Sequence, residues 1–250
     1  MTGYPRDLVG YADQPPDPRW PGGARLALNF VVNYEEGGER SVLHGDKVAE
    51  TRLTDLLMPA PLQGARDLNM ESAYEYGSRV GFWRLMRVFA ERQVIPTIYA
   101  VGMALERNPQ AAETMARQGC DVVDHGWRWL DYHGIDEVTE REHIRLSVET
   151  IRRLTGTRPI GWYIGTPSAN TRRLVVEEGG FLMTATPTTT NYLIGPTITA
   201  GHISSSRTRS TTTTRASRVA WAGVRPRISS SRCATISTRS TARASRRRRS

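Results

Sequence analysis

The chain has 250 residues, with 34 Lys and Arg against 25 Asp and Glu and a formal charge of +9. Its length suits one sizeable α/β domain, and its two cysteines, Cys120 and Cys233, form no C-x-x-C pair and exclude a disulfide framework. An evenly spread charge would suggest a polyanion partner, but residues 183–250 hold 13 Arg, no Lys and no acid, leaving 34 − 13 = 21 basic against 25 acidic residues, a net of −4.

Residues 1–23, rich in Pro, Gly and Asp, read as an extended lead-in. They carry no charged-then-apolar signal pattern, and no apolar run approaches membrane-spanning length, so a soluble, reducing, cytoplasmic setting is expected. Residues 25–32 form an apolar run that predicts a strand buried on both faces. It runs straight into Asn33-Tyr34-Glu35-Glu36-Gly37-Gly38-Glu39. Two carboxylates at the end of a buried strand stand where parallel α/β sheets keep their chemistry. The plainer reading is a solvated acidic turn.

Residues 40–72 read as a long polar loop with at most one short helix, of the kind that lines a site. A helix is predicted over 80–92, with Arg84, Arg87 and Glu91 on its polar stripe and Trp83, Met86 and Phe89 among its buried positions. Residues 95–101 predict a second buried strand. Pro109 opens a helix that Gly119 closes, and residues 121–124 predict a short third strand ending at His125. Residues 139–154 predict a helix with Thr139 and Glu142 as capping box and Ile144, Val148 and Ile151 as apolar face. Residues 159–164 predict a fourth strand, residues 171–178 a helix, and Phe181 and Leu182 the start of a fifth strand. Regular alternation implies parallel strands joined by right-handed crossovers. Neither a closed barrel nor an open doubly wound sheet is excluded by it, although no G-x-G-x-x-G or Walker loop supports the second.

After Leu182 the alternation stops. Residues 183–250 contain 27 Ser or Thr, 13 Arg and only eight Leu, Ile, Val or Phe, too little apolar surface to order a segment. One reading is a basic nucleic-acid-binding arm ending in Arg246-Arg247-Arg248-Arg249. The preferred reading is GC-rich coding DNA read out of frame, with nucleic acid not a partner. Codons for residues 181–195 can be chosen so that one base restored after Leu182 yields YDRDAYNDELPDW, and the same frame later permits PHLVVPYALDNNDTRFA.

Five stretches in order, FVVNYEEGGE, NMESAYEYGSRVGFWRL, DHGWRWLDYH, RPIGWY and TRRLVVEEGGF, resemble the cofactor-independent allantoinase branch of the polysaccharide deacetylase superfamily. The resemblance covers roughly residues 3–182. It implies a distorted (β/α) barrel over residues 24–182, incomplete at its C-terminal end, and hydrolysis of amide-type C–N bonds. It also implies a small-molecule substrate, no membrane partner and a homo-oligomer. Glu35 and Glu36 stand where the deacetylases of the superfamily carry paired Asp, so Glu35 is expected to be the base and Glu36 its hydrogen-bonding partner. Both can serve one site only if the strand has broken by Gly37, because consecutive strand residues face opposite ways. His125 matches the motif that carries two His four apart in metal-dependent relatives, but Trp129 occupies the second position. That departure implies no metal cofactor, with His125 an acid or a substrate-orienting group. The alternative is zinc, which needs about three protein ligands, here Glu36, His125 and His133. Arg158 matches a motif that places charge beside the catalytic carboxylate. Trp129, Asp131, Trp162 and Tyr163 are the expected substrate-binding residues, with core packing as the plainer reading of the aromatics. Trp127 and Tyr132 extend the aromatic wall, and His143 reads as structural.

Overall fold

The computed structural model describes residues 11–14, 17, 20–52 and 60–184. Five parallel strands, β1 (Val31–Tyr34), β2 (Thr97–Ala100), β3 (Asp121–Asp124), β4 (Gly161–Trp162) and β5 (Met183–Thr184), pair in the order β1-β2-β3-β4-β5. A doubly wound sheet reverses direction at a switch point, whereas a barrel adds each new strand beside the last. The unbroken order, with helical connections throughout, is an arc of a distorted (β/α) barrel.

Each helix has a local cause. Asp67 caps α1 (Leu68–Tyr76) through the Asn69 and Met70 N–H groups. A single π turn, Gly77–Gly81, carries the chain directly into α2 (Phe82–Glu91). Helix α3 (Gly102–Arg107) follows β2 at once, and α4 (Pro109–Arg117) starts with Pro109 behind the Asn108 cap. In α5 (Glu137–Thr155) the cap is Asp136, which accepts from the Thr139 N–H at 3.0 Å, not the Thr139–Glu142 box expected. Asp136 offers a carboxylate one turn earlier, and such a cap stabilises a helix by about 1 kcal/mol. Gly156, at φ 76°, ends α5, and α6 (Thr171–Glu178) ends at Gly179.

The register explains which side chains meet. Tyr34, Ala100, Asp124 and Trp162 lie level across the first four strands, as do Asn33, Tyr99, Val123 and Gly161 one residue earlier. Side chains alternate along a strand, so the first set faces one way and the second the other. The first face meets the helices. There Tyr34, Ile98, Ala100 and Val122 pack with Phe82, Met86, Leu105 and Ile151, and Trp162 packs with Ile144, Val148, Leu174 and Phe181. The second face is the inner face of the arc.

Three sequence expectations change. The segment predicted as a buried strand over 25–32 becomes strand only from Val31, and Leu26 and Leu28 are each 70% exposed. In the described arc β1 has a neighbour on one side only. The 40–72 stretch holds a 3-10 turn, Val42–His44, a bridge between Val48 and Gln63 and the start of α1, while α3 was not foreseen. Its Gly102 and the short span between β2 and α4 hid a six-residue helix. Of the tail expected over 183–250, Met183 and Thr184 pair with β4 as β5; the rest lies outside the described residues.

Candidate active site

One residue beyond the helix-facing row, the backbone continues the ladder: Val101 N–H donates to the Tyr34 carbonyl at 2.9 Å, His125 N–H to Ala100 at 2.9 Å, and Tyr163 N–H to Asp124 at 2.8 Å. Glu35, His125 and Tyr163 therefore stand level at the C-terminal ends of β1, β3 and β4, where parallel barrels place their chemistry. Alternation turns all three to the inner face. Glu35 is 6% exposed and His125 2% exposed. The His125 Nε2 and Glu35 Oε1 atoms are 2.9 Å apart.

The His125 ring is fixed from behind. Its Nδ1 lies 3.0 Å from the Tyr163 carbonyl oxygen. A carbonyl only accepts, so Nδ1 carries a hydrogen. That leaves Nε2 to face Glu35 Oε1 across the 2.9 Å contact. Asn33 Nδ2 donates to the same Oε1 at 3.0 Å. The Tyr163 ring stacks on the imidazole, with centroids 5.0 Å apart and planes 29° apart, and Tyr99 meets it edge-on at 6.2 Å.

After Tyr34 the strand gives way to a turn that Gly38 N–H closes on the Glu35 carbonyl at 2.9 Å, with Gly37 at φ 101°. Glu36 consequently leaves the inner face. Its Oε2 accepts from the Glu35 backbone N–H at 3.1 Å, so it braces the Glu35 main chain instead of bonding its carboxylate. Its other oxygen lies against the π turn, where a Cβ on Gly77 would come within 2.1 Å of it. Burial raises the Glu36 pKa, and the same cause raises that of Glu39, whose Oε2 accepts from Gly37 N–H.

Arg158 is a correction. It precedes β4, at the end of the sheet opposite Glu35, where its guanidinium pairs with Glu178 and lies over the Phe181 ring. Trp162 is another. It belongs to the helix-facing row, 1% exposed among α5 and α6 side chains, while its neighbour Tyr163 reaches the site. Trp129 and Asp131 line a cleft with Arg40, Arg52, Leu130 and Ile164, and Asp131 also accepts from the His133 N–H at 3.0 Å. Tyr132 is buried, its hydroxyl 2.9 Å from His143 Nδ1. Trp127 lies against Gly102 at the start of α3. Asp46 pairs with Arg128, and the His44 ring meets the Glu39 carbonyl at 3.0 Å.

Other contributors were not singled out from sequence. Asn33 could have been, as a polar residue inside an apolar strand. Asp124 is fully buried on the helix face directly before His125, where it accepts from Ser147 Oγ at 2.6 Å and Gly126 N–H at 2.8 Å. Burial pushes its pKa up to about 7. Ser147 lies on α5, so this pair fixes the backbone of His125 to the helix layer.

A zinc site was tested against the donor set. His133 is exposed in the 3-10 turn Tyr132–Gly134, Glu36 turns to Gly77, and Trp129 stands where a second His would be. Among the described residues no group of three or more His, Cys, Asp or Glu is placed to hold a metal ion. The residues present do not fit the alternative set Glu36, His125 and His133.

The parallel arc belongs to a recognised class. Residues 70–179 match the polysaccharide deacetylase family and carry that domain. Within the class, the crystal structure of PuuE allantoinase is 52% identical and superposes with a TM-score of 0.69, covering 73% of this chain and 60% of that one. The structure of a probable polysaccharide deacetylase of Pseudomonas aeruginosa PAO1 is 54% identical, with a TM-score of 0.69, and covers 73% and 61%. A Schizosaccharomyces pombe protein described as a polysaccharide deacetylase is 46% identical over 176 residues, 69% of this chain and 55% of its own. The chain thus spans roughly three-fifths of the length of these relatives. Among the described residues no helix is long and apolar enough to cross a membrane.

Proposed function

We propose that the chain carries the catalytic half-site of an allantoinase-like hydrolase, opening the cyclic amide of allantoin to give allantoate without a metal cofactor. The observation that carries this reading is the buried Glu35–His125 pair with its ring nitrogen committed to the Tyr163 carbonyl, in a chain 52% identical to an allantoinase. Splitting an amide at neutral pH needs a base for water, an acid for the departing nitrogen and donors for the oxyanion. Both described hydrogen bonds to the Glu35 carboxylate converge on Oε1, which leaves Oε2 to take a proton from water as it attacks the carbonyl carbon. His125 Nε2–H then gives its proton to the ring nitrogen as the C–N bond breaks. The proton on Glu35 passes back to Nε2 and restores the pair. Trp129 and Asp131 line a cleft with Ile164, the residue after Tyr163, and are assigned to substrate contact, as is Tyr163.

The enzyme is expected to act as a homo-oligomer on a small molecule in the cytoplasm. Residues from 183 on are read as out of frame, and the 250-residue chain is therefore expected to be impaired relative to a version with one base restored after the Leu182 codon. The test follows ureide formation by NMR from allantoin with both versions, before and after exhaustive chelation. Turnover by the restored version that survives chelation is expected. The domain match favours one competing reading, a metal-dependent deacetylase of N-acetylglucosamine polymers; release of acetate that chelation abolishes, with allantoin untouched, would establish it instead.

A further inference from the structure

The turn that carries Glu35 is held from outside through three successive carbonyls. Gly37 O accepts from Arg107 Nη1 at 2.6 Å, Gly38 O from the Trp129 N–H at 2.9 Å, and Glu39 O from Arg128 Nη2 at 3.0 Å. Arg107 is the last residue of α3, while Arg128 and Trp129 belong to the loop that follows β3 and His125. Gly37 packs closely on the first donor: a Cβ there would stand 3.2 Å from Arg107 Cδ. The loop that presents His125 to Glu35 thus also grips the turn on which Glu35 stands.

His44 ties the two arginines together. Its Nδ1 lies 3.0 Å from the Glu39 carbonyl oxygen and 3.3 Å from Arg128 Nη2, which directs its hydrogens to Glu39 O and Asp46. Its Nε2 meets Arg107 Nη1, the same nitrogen that reaches Gly37 O. A carbonyl only accepts and a guanidinium only donates, so Nδ1 carries the hydrogen and Nε2 must keep its lone pair. Protonating Nε2 sets N–H against N–H and places a third cation between two guanidiniums. The carboxylates that act on the ring, Asp46 on its own loop and Glu71 on α1, are already paired with Arg128 and Arg66. Burial, and then the charge of Arg107, lowers the His44 pKa.

We propose that Arg107 is a positioning residue for Glu35, a latch on the catalytic turn that holds only while His44 is neutral. Its effect on rate rests on the hydrolase reading above. With His44 neutral, Arg107 bonds the ring and Gly37 O together, Gly38 N–H closes the turn on the Glu35 carbonyl at 2.9 Å, and the carboxylate stays beside His125. Once the ring is protonated, Arg107 lets go of Gly37, the turn loosens and Glu35 shifts from the imidazole. A displacement of about 1 Å at a reacting group can cost about a hundredfold in rate.

In the full chain, and in parallel in the frame-restored version, Arg107→Ala is expected to lower kcat for allantoin about tenfold or more with KM within about twofold. Arg107 is exposed, so the exchange leaves the core intact. His44→Gln keeps an acceptor for Arg107 without a titrating ring. The ratio of wild-type kcat to that of His44→Gln should be about one above the His44 pKa, read by NMR of the ring, and should fall about tenfold as pH drops through it. A ratio that stays flat across that pKa, or wild-type kcat in Arg107→Ala, would overturn the proposal. Protection of the Gly38 N–H against hydrogen exchange reads the turn without any substrate. A loss of about tenfold in Arg107→Ala supports the latch, and unchanged protection overturns it. A wild type inactive on allantoin whose Gly38 protection still depends on Arg107 removes only the functional reading. An active wild type with indifferent Arg107→Ala and His44→Gln variants removes only the latch.

Discussion

The two faces of the sheet differ by a single residue step. Tyr34, Asp124 and Trp162 turn to the helices, where they are buried among apolar side chains; Glu35, His125 and Tyr163, each the next residue, turn inward and assemble the dyad. The helix face is held by packing, with Asp124 bonded to Ser147 of the helix layer. The inner face is held by hydrogen bonds aimed at two atoms, Glu35 Oε1 and His125 Nδ1. Changes on the first face should therefore register as stability, and changes on the second as rate.

The largest separation is expected for Glu35→Gln and His125→Asn, each lowering turnover about a thousandfold in a chain that still folds, because a general base or acid contributes between about a hundred- and ten-thousandfold. Stopped activity assays beside thermal unfolding check both halves of that statement. Next comes the neighbouring pair Trp162 and Tyr163. Trp162→Ala should cost about 3–5 kcal/mol of stability by leaving a cavity. Trp162→Phe should cost far less, since the buried Trp162 Nε1 has no hydrogen-bond partner among the described residues. Tyr163→Ala should leave stability nearly unchanged and slow turnover about tenfold by freeing the imidazole it stacks on.

A pH series sharpens the contrast. Asp124 has a folded pKa of about 7 against an ordinary 3.8, so its contribution to stability is fully present below about pH 4 and is lost as pH rises through 7. Asp124→Asn, which keeps an acceptor for Ser147 and Gly126, should flatten the decline in denaturant midpoint between pH 4 and 8. Glu36 and Glu39, also raised by burial, leave a residual slope of the same sign. An unchanged slope would show that the buried carboxyl does not titrate there. The smallest effect is expected at Arg158. Its partner is Glu178 on a partly exposed rim, where ion pairs contribute between about 0 and 1 kcal/mol, so Arg158→Ala should leave turnover intact.

Much of this was legible in the chain. Gly and Pro punctuation marked α4 and α6, and an apolar run ending in adjacent acids marked the site strand. The partnership of Glu35 with His125, 90 residues apart, follows from register, which depends on strand lengths that sequence reports only within a few residues. For the same reason Arg158 and Trp162 were assigned to the wrong end and the wrong face. Alternation says that Trp162 and Tyr163 point oppositely, but only the ladder from Asp124 to Tyr163 shows which one points inward.

The central claim is that Glu35 and His125 work as one proton-sharing unit. A double-mutant cycle on allantoin turnover with Glu35→Gln, His125→Asn and the pair tests it most directly. The double variant should be about as slow as either single one. Losses that multiply, or a Glu35→Gln variant with wild-type turnover, would show that the two side chains act separately or not at all.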